Sequence, residues 1–488
     1  MEQPFQDFQS FEKNEKLKMK LLLINPYFEG VKPDAPQFGL YFLGSYIKEH
    51  TDWNVEIIDP LIEALTREAV LNKTKNANIV GLTCFTDIRF QCFDFAKDIK
   101  NINPDCKVIV GGVHATALSK QILEKYPFID IVIKGEGERA LLKIIKNKSL
   151  QNTRGIVTEP LIENIDHLHL DYSLMSDAYT KYWKDYEVPK SLLRLIHIPI
   201  IASRGCPYNC YYCSSHPYWY GKYRCLSPEE LVKRMEELIN TYNAEYFRFY
   251  DALFPISRQW IDRFCALIKE RNLDIKFRID VRANTRGYIL KQLREVGCCV
   301  LGMGIESAVP SIRKRLNKND SQDQILNIIK ISKDLGYWLV GYFMLGLPGE
   351  SKKDILQTIK LIKKFDYHNF TRFQIYPNTF LYNKLRQSKE VDDEIWFNRK
   401  FNNKINPKND YFYNIGASSY CRENFPSAPF YQRELDWLLQ YSFDYHNVMN
   451  PSSVIRKYGL KGLLVILKAL MDIPTRGRVD KLYRKIVA

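Results

Sequence analysis

The sequence predicts an α/β protein: a Rossmann-like, doubly wound parallel sheet, then a partial (β/α)6 barrel, then a mostly helical C-terminal region. Three observations predict it. Short apolar runs alternate with stretches of helical spacing, the pattern of parallel strands covered on both faces. This alternation occurs twice, separated by residues 151–195, where no period is visible. Near residue 385 it gives way to an aromatic, irregular segment. Roughly 150 residues is an ordinary domain size, so three parts suit a chain of 488.

Taken in order, residues 1–19 are polar and read as a tail, with no signal-peptide apolar core. The first domain is placed at 20–150. Its apolar runs are LLLIN (21–25), VEIID (55–59), NIVGLTCFT (78–86), KVIVGG (107–112) and DIVIKGEGE (130–138), with helical stretches that include 61–75 and 88–101. Residues 151–195 read as a crossing linker. The second domain, 196–385, begins with IPIIASRG (198–205). Its further strands are EYFRFYD (245–251), IKFRIDVR (275–282), CCVLGMGIE (298–306), WLVGYFMLGLP (338–348) and TRFQIYP (371–377). Helices are expected at 227–243, 257–271, 286–296, 309–335 and 351–365. Six strand–helix units are too few for a closed eight-fold barrel and suit an open one, with its chemistry at the C-terminal strand ends.

Residues 386–488 form the third part. Aromatics such as Trp396, Phe397, Tyr411, Trp437, Tyr441 and Tyr445 predict a satellite core on the open barrel edge, or a lid that excludes water and oxygen. The stretch Ile455 to Met471, with Lys457, Lys461 and Lys468 among aliphatics, reads as a buried helix or as one lying on an anionic membrane. No stretch reaches the roughly 18 apolar residues of a membrane span.

Apolar residues make up 45% and charged residues 26%, which excludes a largely disordered chain. Tyr, Phe and Trp reach 13%, predicting large cores or an aromatic-lined cavity. The net charge of +15 favours anionic ligands or simply solubility. It is spread along the chain apart from RGRVDKLYRKIVA (476–488), and no arm of five or six basic residues in a row appears. The positive charge would suit an RNA partner, but neither additional N-terminal cluster cysteines nor an appended RNA-binding module is seen, so no nucleic-acid partner is expected. Eleven cysteines without an export signal point to reduced thiols in a cytoplasm, and so to metal chemistry.

The sharpest signal is GCPYNCYYC, residues 205–213, in which Cys206, Cys210 and Cys213 form a C-x3-C-x2-C run just after the first strand of the second alternation. Thiolates suit iron–sulfur clusters or zinc. Three ligands on one loop hold three irons of a 4Fe–4S cube and leave the fourth open. A zinc site would need a fourth ligand, for which His216 and Cys225 are at hand. The remaining eight cysteines read as ordinary buried thiols.

The loop, its position and the aromatic Tyr212 before the last cysteine resemble the radical S-adenosylmethionine (radical SAM) enzymes. The resemblance implies a 4Fe–4S cluster on Cys206, Cys210 and Cys213. Its open iron would chelate SAM, whose reductive cleavage gives a 5′-deoxyadenosyl radical. It further implies SAM contacts at Tyr212, at Tyr250 and Asp251 ending the second strand, at Arg282, at Gly304 and Glu306 of GMGIES, and at Gly346 of GLPGE. One departure is Asp251-Ala252, where many relatives carry two acids.

No G-x-G-x-x-G follows the first strand, which disfavours a dinucleotide. Instead PQFGL (36–40), GLT (81–83), GGVHAT (111–116) and GEGE (135–138) resemble the cobalamin-binding domain that precedes the barrel in one radical SAM subfamily, which is class B methyltransferase-like. Cobalamin contacts are then expected at Gly39, Thr83, Gly111, Gly112, His114, Gly135 and Glu136. The D-x-H-x-x-G motif is absent, so no histidine from it would ligate cobalt, and His114 is expected to pack or hydrogen-bond beside the cofactor. His167 and His169 read as linker contacts, and His446 as structural.

The resemblance as a whole covers about residues 20–385. It implies a cobalamin-dependent methyltransferase acting on an unactivated carbon or phosphorus through the 5′-deoxyadenosyl radical and methylcobalamin. The alternatives are a radical cyclase, rearrangement or carbon–carbon coupling enzyme without methyl transfer, with a lipid among its candidate substrates, and a cobalamin-binding sensor without chemistry. Expected partners are a small-molecule or lipid substrate and a reductant such as flavodoxin or ferredoxin. A monomer in a reducing or anaerobic cytoplasm is expected, with peripheral membrane contact as the second option.

Overall fold

The structure is a computed structural model that describes residues 19–28, 35–147, 149, 152–399, 427–430, 435, 438, 442 and 450–458. Its first sheet contains β1 (Lys20–Ile24), β2 (Asn54–Ile58), β3 (Ile79–Thr83), β4 (Lys107–Gly111), β5 (Ile131–Ile133) and β6 (Gly155–Val157) in the order β2-β1-β3-β4-β5-β6. Every pairing is parallel. Leu21 to Ile24 are at most 1% exposed because helices cover both faces, which is why β1 reads as a continuous apolar run. The order steps out from β1 to β2 on one side and to β3 on the other. The switch point therefore lies between β1 and β3, where open sheets of this kind take ligands.

The second sheet contains β7 (His197–Ile200), β10 (Tyr246–Phe249), β11 (Lys276–Val281), β12 (Cys298–Glu306), β13 (Trp338–Leu345) and β14 (Tyr367–Arg372). All six are parallel and neighbours follow chain order. This is the open barrel the sequence predicts. Four of its helices start on a serine whose hydroxyl accepts from the third residue on: Ser227 from Glu230, Ser257 from Trp260, Ser321 from Gln324 and Ser351 from Asp354. Each serine satisfies an otherwise orphaned backbone donor and fixes where the strand-to-helix loop ends.

The structure departs from the sequence reading in five places, the first being the helix expected at 61–75, which breaks into Pro60–Glu63 and Arg67–Thr74. Residues 151–195 are not only a linker: Gly155–Val157 closes the edge of the first sheet. The first strand of the second domain divides into β7 and β8 (Ser203–Gly205), and β8 leaves the barrel to pair antiparallel with β9 (Tyr223–Cys225). The helix expected over 309–335 breaks into Pro310–Arg315 and Gln322–Asp334, with Asn317 between them at φ 55°. The last strand begins at Tyr367, four residues before the expected start.

The two sheets share their cores. Phe38, Tyr41 and Phe42 of the helix Phe38–His50 pack into the barrel core. Cys84, Phe90 and Phe93 of the first domain pack with Leu347, Phe373, Tyr382 and Trp396. Of the third part, Trp396 is fully buried, and a helix spans Pro451–Tyr458. Tyr411, Trp437, Tyr441, Tyr445 and His446 lie outside the described residues, as does the stretch after Tyr458. Among the described residues no helix is long and apolar enough to cross a membrane.

Candidate active site

The cysteine loop is rooted on the β8–β9 ribbon. Gly205 turns into it at φ 88°, and a Cβ there would lie 2.1 Å from the Lys222 carbonyl oxygen, so only glycine fits. Neighbouring segments pin the loop's backbone: the Tyr211 amide donates to Leu316 O at 3.0 Å, the Leu381 amide to Tyr211 O at 3.1 Å, and Asn317 Nδ2 to Asn209 O at 2.6 Å. Burial lifts Cys206 and pushes Cys213 up to about 11, and the neighbouring Cys210 thiol adds to the rise at both, while Arg282 and Lys318 oppose it at Cys206. Three soft donors on one loop with two cations behind them fit a cluster that carries thiolates. Among the described residues no three His, Cys, Asp or Glu side chains converge around a single ion, so His216 and Cys225 do not complete a zinc site.

The residues assigned to SAM separate into two groups. Tyr212 donates to Glu306 Oε1 at 3.0 Å, and Lys318 Nζ reaches the same oxygen at 2.8 Å. Glu306 sits at φ 65° just past a register shift between Gly304 and Glu306, a bulge that turns the strand end. A Cβ on Gly304 would lie 2.8 Å from that carboxylate. Gly346 turns at φ 81°, and its amide and that of Leu347 donate to Glu350 Oε2. Burial pushes Glu350 up to about 8. Tyr250 faces the cavity described below.

Asp251 and Arg282 both bind protein groups beside the cysteine loop. Asp251 accepts from the Ala202 amide at 3.0 Å and from Ser203 Oγ at 2.5 Å, so it braces the root of β8 against the end of β10. Burial pushes it up to about 7. Arg282 donates to Cys210 Sγ at 3.6 Å, pairs with Asp320 at 3.0 Å and lies 3.9 Å from the Tyr208 ring centroid. It supports the cysteine loop.

A cavity of about 420 Å³ joins the two domains. One wall is the C-terminal rim of the first sheet, where Gly39, Thr83, Gly111, Gly112, Gly135 and Glu136 all line it. The other wall carries Cys213, Ser214, Ser215, Tyr218 and Tyr250. Gly112 stands at φ 97° with Cys84 O 3.0 Å from where a Cβ would be, so the rim stays bare and backbone can meet a broad ligand. A Cβ on Gly39 would meet nothing within 4 Å. This wide, glycine-floored and largely apolar space fits a corrin.

His114 does not reach that space. Its ring is fully buried behind the rim, with Nδ1 3.1 Å from Thr86 Oγ1 and Trp396 across from it. Burial holds it well below the usual histidine range, hence neutral. No histidine is among the described residues lining the cavity. The sequence reading missed Arg204, Arg224, Lys318 and Asp320. Arg204 stands directly before Gly205-Cys206, a position that could have drawn attention. Lys318 and Asp320 carry no local signal, because they reach the site only through the break in the expected helix.

A three-thiol loop at the C-terminal mouth of a parallel barrel, opening onto the rim of a doubly wound sheet, defines a two-cofactor radical enzyme. The model of the radical SAM superfamily matches residues 200–362, and that of the B12-binding domain residues 25–145. An uncharacterized methyltransferase of Pyrococcus horikoshii is 32% identical over 390 residues, covering 75% of this chain and 82% of its own length. The anaerobic magnesium-protoporphyrin IX monomethyl ester cyclase of Rubrivivax gelatinosus is 26% identical, covering 77% and 71%. The solved structure of TsrM, a radical S-adenosylmethionine methyltransferase from Kitasatospora setae with cobalamin and a 4Fe–4S cluster bound, matches with a TM-score of 0.60 over 77% of this chain and 76% of that one. At 15% identity that likeness bears on the fold. The chain belongs to the radical SAM superfamily, among the members that carry a B12-binding domain.

Proposed function

We propose that this protein is a cobalamin-dependent radical SAM methyltransferase acting on an unactivated carbon, or phosphorus, of a small molecule or lipid. The observation that carries the reading is the single cavity shared by the glycine rim and Cys213. Cobalamin and SAM, when bound, supply a methyl carrier and a hydrogen-abstracting radical. The chain holds the cluster through Cys206, Cys210 and Cys213 and cradles SAM with Tyr212, Tyr250, Gly304, Glu306 and Gly346. It lays the corrin on Gly39, Thr83, Gly111, Gly112 and Gly135. The apolar walls exclude water from the reacting centre.

A flavodoxin- or ferredoxin-type reductant, a monomer and a cytoplasmic, anaerobic setting complete the proposal. The test is anaerobic reconstitution with iron, sulfide and cobalamin, then incubation with methyl-labelled SAM under strong reductant. About four irons and one cobalt per chain, with 5′-deoxyadenosine formed, are expected; no 5′-deoxyadenosine overturns the reading. The second reading, radical cyclisation without methyl transfer, is supported by the likeness to the cyclase. Label passing from SAM to product separates the two.

A further inference from the structure

Four charged side chains are buried together where the two domains meet, and the chemistry above leaves them unused. Glu136 lies on the loop after β5, beside the Gly135 rim, and Glu138 opens the helix Glu138–Lys146 that follows it. Arg204 lies on β8, two residues before Cys206, and Arg224 is its antiparallel partner on β9. Arg204 forks: one Nη pairs with Glu136 Oε1 and the other with Glu138 Oε1 at 2.7 Å. Arg224 pairs with Glu136 Oε2 at 3.0 Å, and the Ile162 amide donates to the same oxygen at 2.8 Å. The four side chains are 3–9% exposed. The Phe42 ring lies 4.5 Å from the Arg204 guanidinium, and Trp219 lies 5.2 Å from that of Arg224.

Burial alone would push Glu136 up, but Arg204 and Arg224 outweigh it and hold the carboxyl below its usual range, so Glu136 is ionised. A buried ion network is a poor source of stability, because desolvating the charges offsets most of their attraction. What it supplies is direction. A guanidinium forked between two carboxylates fixes orientation as well as distance.

The β8–β9 ribbon has only three residues per strand and pairs with neither large sheet. Its seat against the first domain is held by this network and the rings around it, together with Tyr218, whose hydroxyl donates to Gly135 O at 3.2 Å. We propose that Glu136, Glu138, Arg204 and Arg224 form a bracket that sets the position of the cluster loop relative to the corrin rim. They are positioning residues, acting through Gly135 on one side and Gly205-Cys206 on the other. The proposal rests on the two-cofactor reading.

The test uses the reconstituted full chain with Glu138→Gln, which keeps size and removes one charge, and Arg204→Lys, which keeps charge and removes the fork. Iron and cobalt content are measured first. Then the EPR signal of the Co(II) cobalamin is recorded with the cluster oxidised and reduced. Wild type should show one defined magnetic interaction with the reduced cluster. Both variants should keep iron and cobalt yet show that interaction smeared or lost, and amides of 205–213 should exchange faster. Wild-type interaction and exchange in both loaded variants overturns the bracket while leaving the methyltransferase reading intact. Wild type that binds iron and no cobalt overturns both. Should either variant fail to load, Phe42→Leu keeps the ion pairs and loosens the packing over Arg204. An altered interaction there supports the bracket, and an unaltered one counts against it.

Discussion

Arg282 shows how one side chain changes meaning once its neighbours are known. The family resemblance implies a SAM contact there; the fold adds a contact with Cys210 Sγ, with Asp320 and Tyr208 holding the side chain. A cation donating to a cluster thiolate favours the reduced, more negative cluster. Arg282→Gln should therefore lower the cluster's midpoint potential in an EPR-monitored redox titration of the reconstituted protein; an unchanged or higher potential would contradict the contact. Asp251 gives a second residue-level expectation. Folded, it holds its proton to about pH 7 because it is buried. An unfolded chain releases that proton near 3.9, roughly the ordinary aspartate value. Between those values the native state binds more protons, so the stability Asp251 contributes falls as pH climbs from about 4 to 7, and is flat above. Thermal melts across that range should show wild type losing ground to Asp251→Asn, by on the order of a few kcal/mol in total. Parallel pH profiles for the two proteins would refute it.

At the scale of elements, the β8–β9 ribbon and the broken helix after β12 build the site. Gly205 is the hinge of the first. Gly205→Ala would drive a methyl group into Lys222 O and force φ out of its left-handed region. The expected outcome is loss of iron loading in reconstitution with the far-UV circular dichroism kept, since both large sheets stand without the ribbon; normal iron content would show that the turn is not needed. The break at 316–321 brings Lys318 to Glu306 and Asp320 to Arg282. Residues 317–324, NKNDSQDQ, hold no apolar residue and include the Ser321–Gln324 capping box, so the interruption itself was written in the sequence, whereas the contacts of Lys318 and Asp320 were not. Conversely, GCPYNCYYC and GMGIE were legible from sequence because their residue types and order carry the chemistry wherever they are placed.

Across the whole molecule, the two α/β units are joined by shared cores as well as by the buried ion network. Trp396 is the largest of the fully buried side chains and packs with first-domain residues. Its backbone oxygen accepts from Arg89 at 2.8 Å, a hydrogen bond spanning 307 positions in the chain. Trp396→Ala should cost about 3–5 kcal/mol. Denaturant unfolding followed by circular dichroism and by cobalamin absorbance should then shift together in one transition. Two separated transitions would show that the units melt independently.

The sequence by itself determined the two parallel sheets, their order, the cluster loop and the glycine rim. Each of these is written locally, in apolar period, in ligand spacing or in the absence of a side chain. Only the tertiary structure decided that the rim and the cluster loop face one cavity, that His114 turns away from it and that Asp251 braces β8. It likewise decided that Arg204 and Arg224 bind the GEGE loop. Those outcomes depend on contacts between residues far apart in the chain, from 28 positions for His114 with Thr86 to 307 for Arg89 with Trp396. No local pattern encodes which distant carboxylate or carbonyl a buried guanidinium will meet; packing chooses it, because a charge taken out of water must find a partner.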